Sequence, residues 1–266
     1  MKWVLNTYRT CQNWTVDQII NVCLQTGHTG IEFLMDFKQA HGVEADASPD
    51  HVTAVARQVR DAGLEVAFVT SCATFDQDDP AALAQSVDKV KRVIDHAERM
   101  GCRHVRVLGD RVPDDPAARE RRVDQVARSI ATVADYAQGA GISVSMEMHG
   151  HFIDPELAKA VMERANRPNV GLVFNCVWRV GSPTGWSLPA GAPSIKPLYD
   201  LTRRWYTSVH THAFERPEET LYYRELFQLL KADGFQGYIS NECAYVGPDP
   251  ITVLRLYTAF FRALAT

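Results

Sequence analysis

The sequence predicts one (β/α)8 TIM barrel domain spanning residues 1–266, and two observations carry that prediction. A local unit recurs along the chain: a helical stretch, a glycine, then a short apolar run. The length also suits eight alternating strand–helix units, since such barrels occupy roughly 250 residues.

The segment VLNTY near the start reads as the first strand. The recurring unit then appears as LQTGHTGIEFL, RDAGLEVAFVT, ERMGCRHVRVL, QGAGISVSMEM and KADGFQGYISN, which supply strands 2, 3, 4, 5 and 8. In these units Gly27, Gly63, Gly101, Gly141 and Gly234 fall where a helix ends on a left-handed residue. NVGLVFN near 170 and YTSVHTH near 207 fill the places of strands 6 and 7. Strands alternating with helical patterns imply a parallel sheet.

Helix starts are marked too. Thr15 to Gln18 has the form of a capping box. Ser48-Pro49, Asp79-Pro80 and Asp154-Pro155 set a cap before a proline suited to a first helical turn. ALAQSVDKVKRVIDHAERM is long and amphipathic. GSPTGWSLPAGAP, residues 181–193, is the longest irregular stretch and falls after strand 6 on the face where barrels place their chemistry. The rival architecture, an open doubly wound sheet, would bind a dinucleotide through G-x-G-x-x-G after the first strand, and that motif is absent.

Composition narrows the function. Hydrophobic residues make up 46%, enough for a large core, and the formal net charge is -4. That charge lacks the basic footprint that nucleic acid or an anionic membrane surface requires. No apolar run reaches the length of a signal peptide or a membrane span. The six cysteines are scattered, which reads as reduced thiols and a cytoplasmic setting.

Strand side chains alternate faces. On strand 5, Val144, Met146 and Met148 face the helices, while Ser145, Glu147 and His149 face the axis. On strand 6, Gly171, Val173 and Asn175 face inward; on strand 7, Ser208, His210 and His212; on strand 8, Ser240 and Glu242. Four consecutive strands thus end on an inward Glu147, Asn175, His210 and Glu242. Burying such groups costs several kcal/mol each unless they are paired or bind a metal. A shell of two carboxylates, an imidazole and an amide oxygen suits one divalent ion: Mn, Mg, Co or Zn. The same alternation turns Asn6 and Tyr8 of strand 1 toward the pocket. It also suggests a buried structural pair between Glu32 of strand 2 and Arg106 of strand 4. His151 and Trp186 sit on top loops, Cys72 ends strand 3 without an activating base, and His28, His41, His51, His96 and His104 read as surface or helix-end residues.

GIEFL, SVSMEMHG, LVFN, SVHTHAF and ISNECAY, in this order and spacing, resemble the xylose isomerase-like superfamily of sugar phosphate isomerase/epimerase type. The resemblance implies a metal held by Glu147, the strand 6 position (Asn175 here, where the family has Asp), His210 and Glu242. It also implies substrate contacts from His149 and from Arg216, six residues after His210. Ketose epimerases of this type often have His three residues after the strand 6 ligand. Here that position is Trp178, whose ring could stack on a sugar face. The amide at 175 removes a charge and predicts weaker metal affinity but a more strongly polarising ion.

The implied chemistry is isomerisation or epimerisation of a ketose or related polyol ketone by proton transfer through an enediolate, with Glu147 and Glu242 as the proton-moving pair. His149 moving the proton while both Glu only ligate is the other assignment. His212, one step further out than His210, is a substrate-binding or supporting residue. A lyase on the same site (a dehydratase of a cyclic ketone, or β-elimination of a 3-keto-glycoside) stays open, as does a non-catalytic barrel subunit. A DNA-repair endonuclease would need more His and Asp ligands and a basic groove. No Gly-rich phosphate loop lies near strands 7 and 8, which points to an unphosphorylated carbohydrate. The apolar segments WYTSV and LYTAFFRAL suit a homo-oligomer, dimer or tetramer.

Overall fold

A computed structural model describes residues 1–176, 194–212, 214, 220–243 and 247–265 of the chain. Eight parallel strands close into a barrel in sequence order, with β1 hydrogen-bonded to both β2 and β8. The strands are β1 (Lys2–Asn6), β2 (Gly30–Leu34), β3 (Glu65–Thr74), β4 (His104–Leu108), β5 (Ser143–Glu147), β6 (Val170–Asn175), β7 (Tyr206–Thr211) and β8 (Tyr238–Asn241). The helices are α1 (Val16–Thr26), α2 (Pro49–Asp61), α3 (Pro80–Met100), α4 (Pro116–Ala137), α5 (Pro155–Ala165), α6 (Lys196–Thr202), α7 (Thr220–Ala232) and α8 (Pro250–Ala265).

The local signals act as expected. Thr15 and Gln18 form the capping box of α1. The side chains of Ser48, Asp79 and Asp154 each accept from backbone N–H groups of the turn they precede. Asp115 before Pro116 does the same for α4. Gly27 closes α1 at φ 80°, a left-handed conformation that glycine adopts without a Cβ penalty.

The apolar core lies between the sheet and the helical ring. Val144 and Met146 of β5, Met148 just beyond it, and Leu172 and Phe174 of β6 are buried there, as their alternation requires. Trp3 anchors the closure of the barrel. Its ring stacks on Phe261 at 4.5 Å, and its indole N–H donates to Thr258 Oγ1 of α8 at 2.9 Å.

The same packing corrects the reading of the histidines. His28, His41 and His96 are buried rather than superficial. His28 stacks on Trp3 at 5.3 Å, and His41 meets Phe33 edge-on while its Nδ1 accepts from Val43 N. Desolvation holds His28 at about 3 and His41 at about 4, so both are neutral core rings at pH 7. Among the described residues no helix is long and apolar enough to cross a membrane.

Candidate active site

Parallel strands of one barrel all end on the same face, so inward residues at the ends of β5, β6, β7 and β8 must meet there. Asn175 of β6 lies opposite His210 of β7 in the ladder. Glu242 stands one residue past β8, held in extension by its backbone N–H to Thr211 O at 2.9 Å.

Glu147, His210 and Glu242 come together. Each offers a ligand atom, and those atoms all lie within 4.8 Å of one another. His210 is at the centre and fully buried. Its Nδ1 is 3.0 Å from Glu242 Oε2 and 3.7 Å from Glu147 Oε1. Its Nε2 is 2.9 Å from Glu32 Oε1. Burial disfavours an imidazolium, but the Glu32, Glu147 and Glu242 carboxylates outweigh it and raise His210 well above its ordinary range.

The expected pair between Glu32 and Arg106 is replaced by two others. Arg106 Nε lies 3.0 Å from Glu147 Oε2, and its Nη1 donates to Ser71 O at 3.0 Å. Glu32 turns instead to His210. Burial raises the Glu147 carboxyl, yet Arg106 and then His210 bring it far below the usual carboxylate range. Glu242 is also lowered, with burial opposed chiefly by His210.

Asn175 bridges. Its Nδ2 donates to Glu147 Oε1 at 2.6 Å, and its Oδ1 is 2.7 Å from His212 Nε2. In this orientation the amide oxygen faces His212 rather than the Glu147–His210–Glu242 cluster. His212 in turn is held by its backbone N–H to Tyr223 Oη at 3.2 Å.

Around this centre, Asn6 is buried on β1 opposite Glu32, with Oδ1 accepting from Tyr8 N at 2.8 Å. Tyr8 itself lies beyond the strand and is half-buried. His149 reaches the open side, half exposed, with Nδ1 2.8 Å from Asp110 Oδ1. That bond to Asp110 raises His149 and lowers Asp110. His151 Nδ1 accepts from Val112 N, which makes it part of the loop framework. Cys72 is raised by burial and has the character of an inert thiol. Trp178, Trp186 and Arg216 lie outside the described residues.

Three residues escaped sequence reasoning: Ser71, Arg106 as the partner of Glu147, and Asp110 as the partner of His149. The period-two pattern of β4 carried a usable signal, because Arg106, Leu108 and Asp110 alternate on one face. Asp110 departs from strand geometry at φ 66°, so its carboxylate direction could not be read from alternation alone.

Comparison with known proteins adds the following. The sequence model of one family, described as xylose isomerase-like TIM barrel, matches residues 20–263. No curated protein sequence matches the chain. Among solved structures, the 3-keto-D-glucoside 4-epimerase of E. coli superposes with a TM-score of 0.77 at 14% identity, covering 99% of each chain. An L-ribulose 3-epimerase gives 0.78 at 14% identity, covering 100% of this chain and 95% of its own. The probable 3-DHS dehydratase AsbF from Bacillus anthracis gives 0.73 at 14% identity, covering 100% and 99%. At these identities the likeness is one of fold.

Proposed function

This chain belongs to the xylose isomerase-like TIM barrel family, and on that premise we propose that it is a divalent-metal-dependent isomerase or epimerase of a ketose or related sugar ketone. The observation that carries the reading is a charge imbalance inside the barrel. Among the described residues, Glu32, Glu147 and Glu242 are buried around one imidazole, with Arg106 as the guanidinium of the cluster. When a bound ion takes the place of the His210 Nδ1 proton the cluster sums to -2, the charge that one divalent cation cancels.

The donor set fits such an ion. Glu242 Oε2 and His210 Nδ1 are buried side-chain atoms that no hydrogen bond among the described residues satisfies. A cation between them and Glu147 Oε1 would satisfy both, in a mixed oxygen–nitrogen shell suited to Mn, Mg, Co or Zn. Asn175 joins as a fourth ligand if its amide turns over, exchanging its contacts with Glu147 and His212. Bound there, the ion supplies Lewis acidity to a ketone and its adjacent hydroxyl.

The proton-moving work falls to this chain's own carboxylates. Glu147 has Oε2 held by Arg106 and Oε1 by Asn175. Among the described residues, His210 is the one group within ion-pair distance of Glu242, so Glu242 is the better placed to take the proton next to the carbonyl. Epimerisation requires Glu147 to return a proton on the other face, and therefore to loosen from Arg106. On this reading substrate hydroxyls fall to His149, His212, Asn6 and Tyr8, and from the family resemblance to Arg216, with the Trp178 ring stacking on a sugar face.

The unequal state of the two carboxylates favours a second reading, a lyase. Removal of one α-proton by Glu242 alone, with loss of a β-substituent, needs no second base. The similarity to a dehydratase fold agrees with it. Both readings are tested by incubating metal-loaded protein with a panel of ketoses, 3-keto-glycosides and cyclic ketones in deuterated water and following products by NMR. Deuterium at the α-carbon of a retained skeleton supports the isomerase or epimerase. Loss of water or glycoside supports the lyase. No exchange with any carbonyl substrate, and no metal in the purified protein, refutes both.

A further inference from the structure

Glu32 stands outside the metal shell, and the Arg106 that sequence reasoning gave it as a partner pairs with Glu147 instead. Glu32 is fully buried on β2, across the barrel from β7, and no described residue donates a well-formed hydrogen bond to either of its oxygens. A carboxylate in that setting is costly unless it serves something. Among the described residues its close charged neighbour is His210, whose Nε2 stands 2.9 Å from Oε1. The opposite edge of the same ring, Nδ1, points between Glu147 and Glu242.

We propose that Glu32 is the positioning residue of the metal site: it holds the Nε2 edge of His210, so that the ring presents Nδ1 as its ligating nitrogen. A carboxylate 2.9 Å from Nε2 favours the ring proton on that nitrogen by its charge and leaves the lone pair on Nδ1. The carboxylate also returns to the site a negative charge that the amide of Asn175 does not provide. It does so through the imidazole, which becomes a stronger donor when its far N–H meets a carboxylate. Sequence alternation brought Glu32 to the right face but paired it with Arg106. The geometry gives Arg106 to Glu147 and leaves Glu32 for the ligand.

This inference rests on the metal reading above, and the test separates the two. Chelator-stripped wild type, E32Q and E32D are titrated with Mn2+ and Co2+ by calorimetry, and the visible spectrum of the Co2+ forms is recorded. Wild type takes up one ion. E32Q loses 10- to 100-fold in affinity, retains the single site, and changes its Co2+ absorption. E32D, with the charge kept and the reach shortened, falls between them and serves alone should E32Q not fold. Affinity within threefold of wild type in E32Q and E32D, with unchanged Co2+ spectra, overturns the role of Glu32 whatever happens to melting temperature. A wild type that binds neither ion overturns the metal reading itself, and the inference with it.

Discussion

Replacing Arg106 with Met tests the charge arrangement most directly, because its effect should depend on whether the metal is present. Arg106 and Glu147 have side chains only 4% and 3% exposed, at 3.0 Å, so solvent screens them little. Removing one member of a buried pair while leaving the other charged costs about 3–5 kcal/mol. At about 2.1 cal/mol/K per residue, the 266 residues give an unfolding entropy near 0.56 kcal/mol/K. The loss in chelator therefore corresponds to a fall in Tm of roughly 5–9 °C. A divalent ion on Glu147 replaces the missing positive charge, so the same substitution in saturating Mn2+ should cost less than half as much. The assay is calorimetric melting of wild type and R106M, each in chelator and in Mn2+. Both proteins are melted at one free Mn2+ concentration well above either Kd, where binding raises each by RT ln(1 + [Mn2+]/Kd), about 4.1 kcal/mol at a thousand times Kd, so a smaller loss in Mn2+ than in chelator reads as tighter binding by R106M. Equal losses in the two media would refute the reasoning and leave Arg106 as a packing residue. A loss below about 1 kcal/mol in chelator would show that Glu147 does not depend on the guanidinium.

Asn175→Asp should move two quantities in opposite directions. It adds a carboxylate beside Glu147 Oε1, now 2.6 Å from the amide nitrogen, and so lowers metal-free stability while tightening metal by roughly tenfold, or about 1.4 kcal/mol. Competition titration against a chelating dye reads the affinity, and unchanged affinity would place residue 175 outside the shell. Gly150→Ala should destabilise by about 1–3 kcal/mol in denaturant melts, because Gly150 has φ 59° and a Cβ there would clash with the backbone oxygen of Asp110. The same substitution displaces the Asp110 carboxylate from His149. Acid stability should follow His41, whose folded value is about 4 against 6.5 for an unperturbed imidazole. The unfolded chain then binds the extra proton, so this contribution is intact above pH 6.5 and is lost as pH falls from 6.5 toward 4, by at most about 3 kcal/mol. His41→Gln should flatten that part of the stability profile measured by urea unfolding, and an unchanged slope would remove His41 as its source.

The barrel and three members of its central cluster were legible because both rest on short-range rules. A strand's period of two forces Glu147 and His210 inward once their strands are recognised, whatever the rest of the chain does. The helix caps at Thr15, Ser48, Asp79 and Asp154 are equally local. Which inward residue meets which is a different kind of question. It depends on the stagger of the strands around the closed sheet, and no single strand encodes that. Register shifts between Ile31 and Glu32 on β2, and between Thr70 and Thr74 on β3, move side chains along the barrel axis. Alternation alone therefore paired Glu32 with Arg106, whereas the closed barrel pairs Glu32 with His210. The buried histidines were missed for a related reason: only the distant partner, Trp3 for His28 or Phe33 for His41, makes an imidazole a core ring.

That distinction bears on how the site should be read chemically. Counting only the four strand-end positions gives two carboxylates and a neutral amide, a set that leaves a bound divalent ion exactly neutralised with nothing to spare for Arg106. Adding Glu32 and Arg106 restores the same balance by a longer route, with three carboxylates against one guanidinium. The two routes differ in where the charge sits. In the observed one, Glu147 is partly neutralised by its neighbour and Glu242 is not, while the extra carboxylate acts through His210. A site built this way should bind its ion asymmetrically, more through Glu242 and His210 than through Glu147. Glu242→Gln should therefore weaken Mn2+ binding more than Glu147→Gln does, by about tenfold or 1.4 kcal/mol in a calorimetric titration. Equal losses, or a larger one at Glu147, would mean that Arg106 swings away when the ion arrives and that the pairing belongs to the metal-free protein alone.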